Sequence, residues 1–234
     1  MLKLMKLEWK KNNIEKYTRN ALIVLAVLAL FLFAQCYLGI ARDPEMGVPD
    51  SAPGTLNISS QVELLTNLCF LVYATVMFST YIISAYKEKT MDLMFLYPVK
   101  RRRILISKIL AAWTFSFGAL VFTKIFLYFM LYAVSKFRVS DFPVDYNILS
   151  IGFYLQLVMK SFVTVSLALI PLYIGFLKKS SKTAIICSFI LFFVMNGTIG
   201  DFSLAGNSTF PVIATIVSFI CGILTVINSE KKDI

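Results

Sequence analysis

Tyr86-Lys87-Glu88-Lys89-Thr90-Met91-Asp92-Leu93-Met94-Phe95-Leu96-Tyr97-Pro98-Val99-Lys100-Arg101-Arg102-Arg103 is a charged island in an otherwise oily chain. Ile104 to Lys108 lead from it into the next apolar run. Long apolar stretches flank the island on both sides. A segment so placed sits at a membrane surface, and its basic charge says which surface. It is also the stretch that says what the apolar helices around it are for.

The chain has 234 residues, of which 58% are hydrophobic and 15% charged. Soluble domains carry roughly 45–50% apolar and about 25% charged residues. An apolar excess of this kind, with mean hydropathy +0.76, cannot be hidden in one small core, so the solvent is lipid. The net charge of +10 would suit nucleic acid if it were clustered on a soluble surface. It is instead confined to loops beside apolar spans, as in cytoplasmic membrane loops, so no nucleic-acid partner is expected.

A bilayer core of about 30 Å takes about 20 helical residues. Six segments are long enough, near 21–40, 62–86, 104–134, 147–176, 183–199 and 210–228. The expected fold is therefore all-α: six transmembrane helices over 21–228, preceded by an interfacial helix over 1–20. The third and fourth spans exceed what a crossing needs and are expected to tilt, kink or project. Pro171 is expected to kink the fourth.

Lys3, Lys6, Lys10, Lys11, Lys16 and Arg19 precede the first span. Lys87, Lys89, Lys100, Arg101, Arg102, Arg103 and Lys108 lie in the second loop; Lys178, Lys179 and Lys182 lie in the fourth, and Lys231 and Lys232 in the tail over 229–234. Against these eighteen, the opposite side holds only Arg42, Lys136 and Arg138. Both termini are thus expected in the cytoplasm, with an even number of spans. The first apolar run is too long for a signal peptide's core and lacks a cleavage site, so it reads as a retained helix.

Leu2, Met5 and Trp9 fall at helical spacing among lysines. That pattern suits an amphipathic helix in the cytoplasmic interface, with Trp9 at headgroup depth; the plainer reading is a basic flank that only fixes topology. The outer loops are short. Residues 41–61 hold Pro44, Pro49, Pro53 and Gly54, which break helix. The sequons at Asn57 and Asn207 read as chance.

Much chemistry is excluded. No Gly-x-x-x-x-Gly-Lys-Ser/Thr is present to cradle phosphates. There is no Gly-x-Ser-x-Gly elbow, and with no histidine there is no His-based catalysis. Cys36, Cys69, Cys187 and Cys221 all lie in apolar runs without metal-ligand spacing and read as small apolar fillers. Neither catalytic nor metal-binding residues are expected. Any driven work must draw its energy from another subunit.

Glu88 to Leu96 can form a short helix with Met91, Phe95 and Leu96 on one face, ended by Pro98. The run Lys100, Arg101, Arg102 and Arg103 then anchors the next span against anionic headgroups. This arrangement resembles the first cytoplasmic loop of ABC-2-type (type V exporter-like) transporter permeases. The match rests on Glu88, Thr90, Asp92, Leu93, Leu96, Pro98, the basic run and Lys108. It departs where Lys89 and Ser107 stand for the usual glycines and Met91 for a leucine. The architecture of interfacial helix, six spans and cytoplasmic termini agrees. The resemblance implies that residues 87–103 dock in a groove of a separate ABC ATPase, with Glu88, Thr90, Asp92, Leu93, Phe95, Leu96 and Pro98 as coupling residues. ATP and Mg would be bound by that partner, and this chain would hold no cofactor. A second permease chain, identical or paralogous, would complete the unit in a bacterial cytoplasmic membrane. Many members carry re-entrant helices before the last span; residues 197–209 are too short for a full pair. Small size and short outer loops most resemble permeases of bacteriocin, lantibiotic and peptide export or self-immunity systems.

Lys124 and Lys160 lie inside the third and fourth spans, and Glu63 near the outer start of the second is the nearby carboxylate in sequence. A midplane lysine costs about 2.5–3.5 kcal/mol on insertion scales. One reading makes these residues a polar patch in the substrate route, meeting carboxylates or lipid phosphates. The other has the lysines snorkel to the outer interface. An ATP-driven exporter of peptides or other amphipathic toxic compounds is the leading functional expectation. A non-transporting membrane adaptor and an ion-coupled carrier are the alternatives; the carrier is disfavoured because the mid-span charges are lysines rather than coupling carboxylates.

Overall fold

A computed structural model describes residues 2–37, 58–85, 101–136, 147–196, 198–199, 202–203 and 209–231. Among the described residues the regular secondary structure is helical except for one minimal hairpin. Helix α1 spans Leu2–Lys11 and α2 spans Ile14–Tyr37. Helix α3 spans Ile58–Phe78 and continues as a π-helical turn over Ser79–Ser84. Next come α4 (Arg101–Lys136), α5 (Ile151–Leu167), α6 (Leu169–Leu177) and α7 (Ser181–Asn196). Strands β1 (Thr198–Ile199) and β2 (Phe202–Ser203) pair antiparallel, with Thr198 opposite Ser203, before α8 (Thr209–Lys231).

Among the described residues, five helical stretches are long and apolar enough to cross a bilayer: 14–35, 58–83, 102–136, 151–177 and 210–228. The sixth apolar helix, α7, has 16 residues, about 24 Å of rise. Of the six expected spans, five thus meet the length needed among the described residues. The first of them begins earlier than hydropathy predicts. Asn13 takes φ 48°, a left-handed conformation that asparagine tolerates, and the chain resumes helix at Ile14. The first membrane helix therefore includes the polar stretch Glu15–Arg19.

The fourth predicted span is one rod interrupted at Ala168, between α5 and α6. Pro171 lacks the amide that would bond the Leu167 carbonyl, so the ladder breaks one turn ahead of the ring. Beyond Leu177, Lys179 turns the chain at φ 48° and α7 returns against α6. Their approach is close because Gly175 has no side chain: a Cβ there would lie 2.6 Å from the Ala184 Cβ. Small residues let membrane helices meet at this distance.

Helix α3 is the hub, packing on α4, α5, α6 and α7. Half of its most apolar window is buried, against 17% for α2 and 22% for α8. Those two helices present rows such as Leu22, Val27 and Leu30, or Ile213, Ile216 and Ile220, to the outside, where lipid is their natural solvent. At the α1 end the core gathers Phe78, Tyr81, Leu105, Leu172 and Ala184. A second cluster, with Leu32, Val62, Leu127, Leu131 and Leu157, fills the other end.

Candidate functional site

Two polar clusters occupy opposite halves of α4. The first ties α1 to the bundle. Met5 and Glu8 are buried there, and the Trp9 indole N–H donates to the Ala111 carbonyl at 3.0 Å. Trp9 is thus turned toward α4, while Leu7 is exposed. Lys108, 2% exposed, donates to the Tyr81 carbonyl at 3.2 Å and lies 3.8 Å from the Glu8 carboxylate. Tyr81 belongs to the π-helical turn, whose widened ladder displaces carbonyls from regular helical pairing. Helix α2 joins through Tyr17, which stacks on Tyr81 at 5.6 Å and whose carbonyl accepts from the Tyr73 hydroxyl at 2.8 Å.

The second cluster lies one helical turn inside the level where Tyr128 donates to the Ser59 carbonyl. Glu63 projects from α3, Lys160 from α5 and Lys124 from α4. The Lys160 ammonium donates to both Glu63 oxygens, at 2.8 and 2.7 Å. This pair is partly open: the side chains are 43% and 25% exposed respectively. Beside it the Thr164 hydroxyl lies 2.9 Å from the Lys160 carbonyl and 3.2 Å from Asn67 Oδ1. Lys124 is different. It is fully buried, and its ammonium has no hydrogen-bond partner among the described residues. Lys124 is one turn from Tyr128 and Glu63 one turn from Ser59, so the Tyr128–Ser59 hydrogen bond sets the two at one level of adjacent helices.

The structure therefore brings Glu63, Lys124 and Lys160 together from three helices. The Lys124 side chain is enclosed among the helices. Arg102 and Arg103 are exposed at the start of α4, and Arg102 borders an apolar cleft of about 610 Å³ lined also by Trp113, Phe162 and Phe219. Arg101 opens the same helix. Glu88, Thr90, Asp92, Leu93, Phe95, Leu96, Pro98 and Lys100 lie outside the described residues. No group of three or more His, Cys, Asp or Glu suited to a metal occurs among the described residues. The expectation from sequence missed Glu8 and the burial of Lys108, which counts as a loop cation when basic residues are tallied.

The family model of the ABC-2 family transporter protein matches residues 4–195, from α1 through all but the last residue of α7. The chain belongs to this family. ABC-2 permeases are membrane transport components that work with a separate ATPase subunit. The chain is also similar to the uncharacterized protein YcbO of Bacillus subtilis (strain 168), at 23% identity over 99% of this chain and the whole of that protein. No solved structure matches. As an ABC-2 protein with several apolar helices, the chain is a multi-pass membrane protein.

Proposed function

We propose that this chain is the permease subunit of an ATP-driven exporter that moves peptides or other amphipathic toxic compounds out of a bacterial cell, in export or self-immunity. The observation that carries the reading is the ABC-2 family match over residues 4–195. The absence of a phosphate-cradling motif from the sequence agrees with it, because the family's ATPase is a separate subunit. In this reading ATP and Mg belong to that partner, and a second permease chain, identical or paralogous, faces this one. Helix α7 crosses as a short sixth span, compensated by local thinning of the bilayer. Both termini then lie in the cytoplasm, as the eighteen-to-three split of basic residues favours. Helix α1 is the amphipathic element at the cytoplasmic interface, and residues 87–103 dock the ATPase. Glu63, Lys124 and Lys160 then lie in the outer half of the membrane, on the substrate route.

The test is copurification with an ATPase bearing a Walker A motif, followed by ATP-dependent uptake of an amphipathic peptide into inverted vesicles. Phe95→Asp should strip the ATPase from the complex while leaving insertion intact, since a buried unpaired charge costs several kcal/mol. Copurification and normal transport by this variant would remove the coupling role of the loop. A complex that binds its partner but transports nothing would make the chain an adaptor. Uptake that follows an ion gradient without the ATPase would make it a carrier. Cysteine labelling at positions 51 and 89 checks orientation, and modification of position 51 from the cytoplasmic side alone would reverse it.

A further inference from the structure

Among the described residues the outer cluster has two ammonium groups and one carboxylate. In water such an imbalance would mean little, because screening is strong. Between membrane helices it is costly, since an unpaired charge has neither water nor counter-ion to stabilise it. The burden falls on Lys124, which is fully enclosed and without a partner among the described residues. Glu63 stands at the level of Lys124 on the adjacent helix, and both of its oxygens are engaged by Lys160.

Accessibility divides the three roles. Lys160 and Glu63 are partly open and Lys124 is closed. An incoming anion therefore meets Lys160 first. There it competes with Glu63, and two carboxylates on one ammonium repel. Lys124 offers the displaced Glu63 a second ammonium on the adjacent helix. We propose that this cluster is a binding site for the carboxylate of an amphipathic substrate, which takes Lys160 while Glu63 passes to Lys124. Two carboxylates then face two ammonium groups, and the cluster becomes neutral only when substrate is present. A carboxylate fits better than another anion because it reproduces the contact that Lys160 already makes with Glu63. The site rests on the permease reading for its place on a route, and extends that reading by naming the group recognised.

The experiment is equilibrium binding of a labelled amphipathic peptide, free of acidic side chains, to the purified full chain in phosphatidylcholine nanodiscs. The peptide is used with a free C-terminal carboxylate and as its C-terminal amide. The acid should bind about tenfold tighter, the worth of one charge-assisted hydrogen bond, and Lys160→Met should erase the difference. Lys124→Met should weaken acid binding by about the same factor, although it never touches the peptide. Glu63→Gln removes the competitor, so acid binding tightens, and in that background Lys124→Met should change nothing. Should Lys124→Met fail to insert, Lys124→Gln removes the same charge and is read in the same way. Equal binding of acid and amide to the wild type overturns the proposal. So does a Lys124→Met loss of equal size in the wild-type and Glu63→Gln backgrounds, which would mean support of the fold rather than receipt of the carboxylate. Adding phosphatidylglycerol to the nanodiscs gives the last arm: if it abolishes the acid preference, the site belongs to lipid phosphate and the substrate assignment falls. Neither ATPase nor ATP is present, so failure here is distinct from failure to copurify or transport.

Discussion

Lys108 and Lys124 stand on the same helix, both buried, yet their surroundings could hardly differ more. Lys108 has the carbonyl of Tyr81, in a π-helical turn, and a carboxylate brought in by α1. Lys124 has no hydrogen-bond partner among the described residues, and the nearby carboxylate is held by Lys160. A buried charge whose counter-charge is built in serves the fold: it fixes where α1 sits on α4. A buried charge left short of a partner costs stability in the resting state, and such a cost persists where function needs it. The α1 end of the bundle is a clasp, and the Tyr128 end is the site we propose.

The largest expected effect tests the clasp. Lys108→Met leaves Glu8, 11% exposed at its side chain, as a carboxylate without its cation. Breaking a buried pair from one side costs about 3–5 kcal/mol, so the variant should unfold at clearly lower denaturant and its N-terminal helix should become accessible to protease. Adding Glu8→Gln should recover part of the loss by removing the orphaned charge. A neutral Lys108→Met would erase the distinction between the two lysines.

Lys124→Met should move the other way. It removes an uncompensated intramembrane charge, worth up to about 2.5–3.5 kcal/mol at the midplane, so unfolding resistance should hold level or rise. ATP-driven transport should nevertheless fall. Measured side by side, the two substitutions are chemically identical and opposite in sign. If Lys124→Met destabilises as Lys108→Met does, the second cluster is structural as well.

The contrast between the clusters also shows what the sequence could reveal. The apolar runs locate the membrane helices, because lipid imposes length and hydropathy on each crossing. The same logic marks Lys124 and Lys160 as anomalies, with Glu63 as the nearby carboxylate. What hydropathy cannot see is where a helix begins outside the lipid: α2 starts at Ile14, set by Asn13, rather than at 21. Nor does counting basic residues distinguish a solvated loop lysine from Lys108, whose stem leads into the bundle. That distinction depends on the π turn after Phe78 and on α1 folding back, both tertiary matters. Trp9 shows the same limit. Its spacing with Met5 marks an apolar stripe, but only the packed structure says that Trp9 meets α4.

The smallest effect sharpens the clasp further. Trp9→Phe keeps an aromatic ring against α4 and removes the indole N–H that reaches the Ala111 carbonyl. A neutral hydrogen bond contributes about 0.5–1.5 kcal/mol net. The Ala111 carbonyl sits within continuous helix, where its own ladder still serves it, so the loss should lie near 0.5 kcal/mol, toward the low end of that range. The chain has two tryptophans, and the substitution leaves Trp113, stacked on Phe117 at 5.3 Å, as the only indole reporter during a denaturant titration. The midpoint should shift slightly in the same direction as for Lys108→Met. The complementary Trp113→Phe protein leaves Trp9 as reporter: held on α4, it should be shielded from quenchers carried on lipid chains. Strong quenching there, with no stability change in Trp9→Phe, would place Trp9 in the lipid interface and leave the ion pair with Lys108 to tie α1 to the bundle without it.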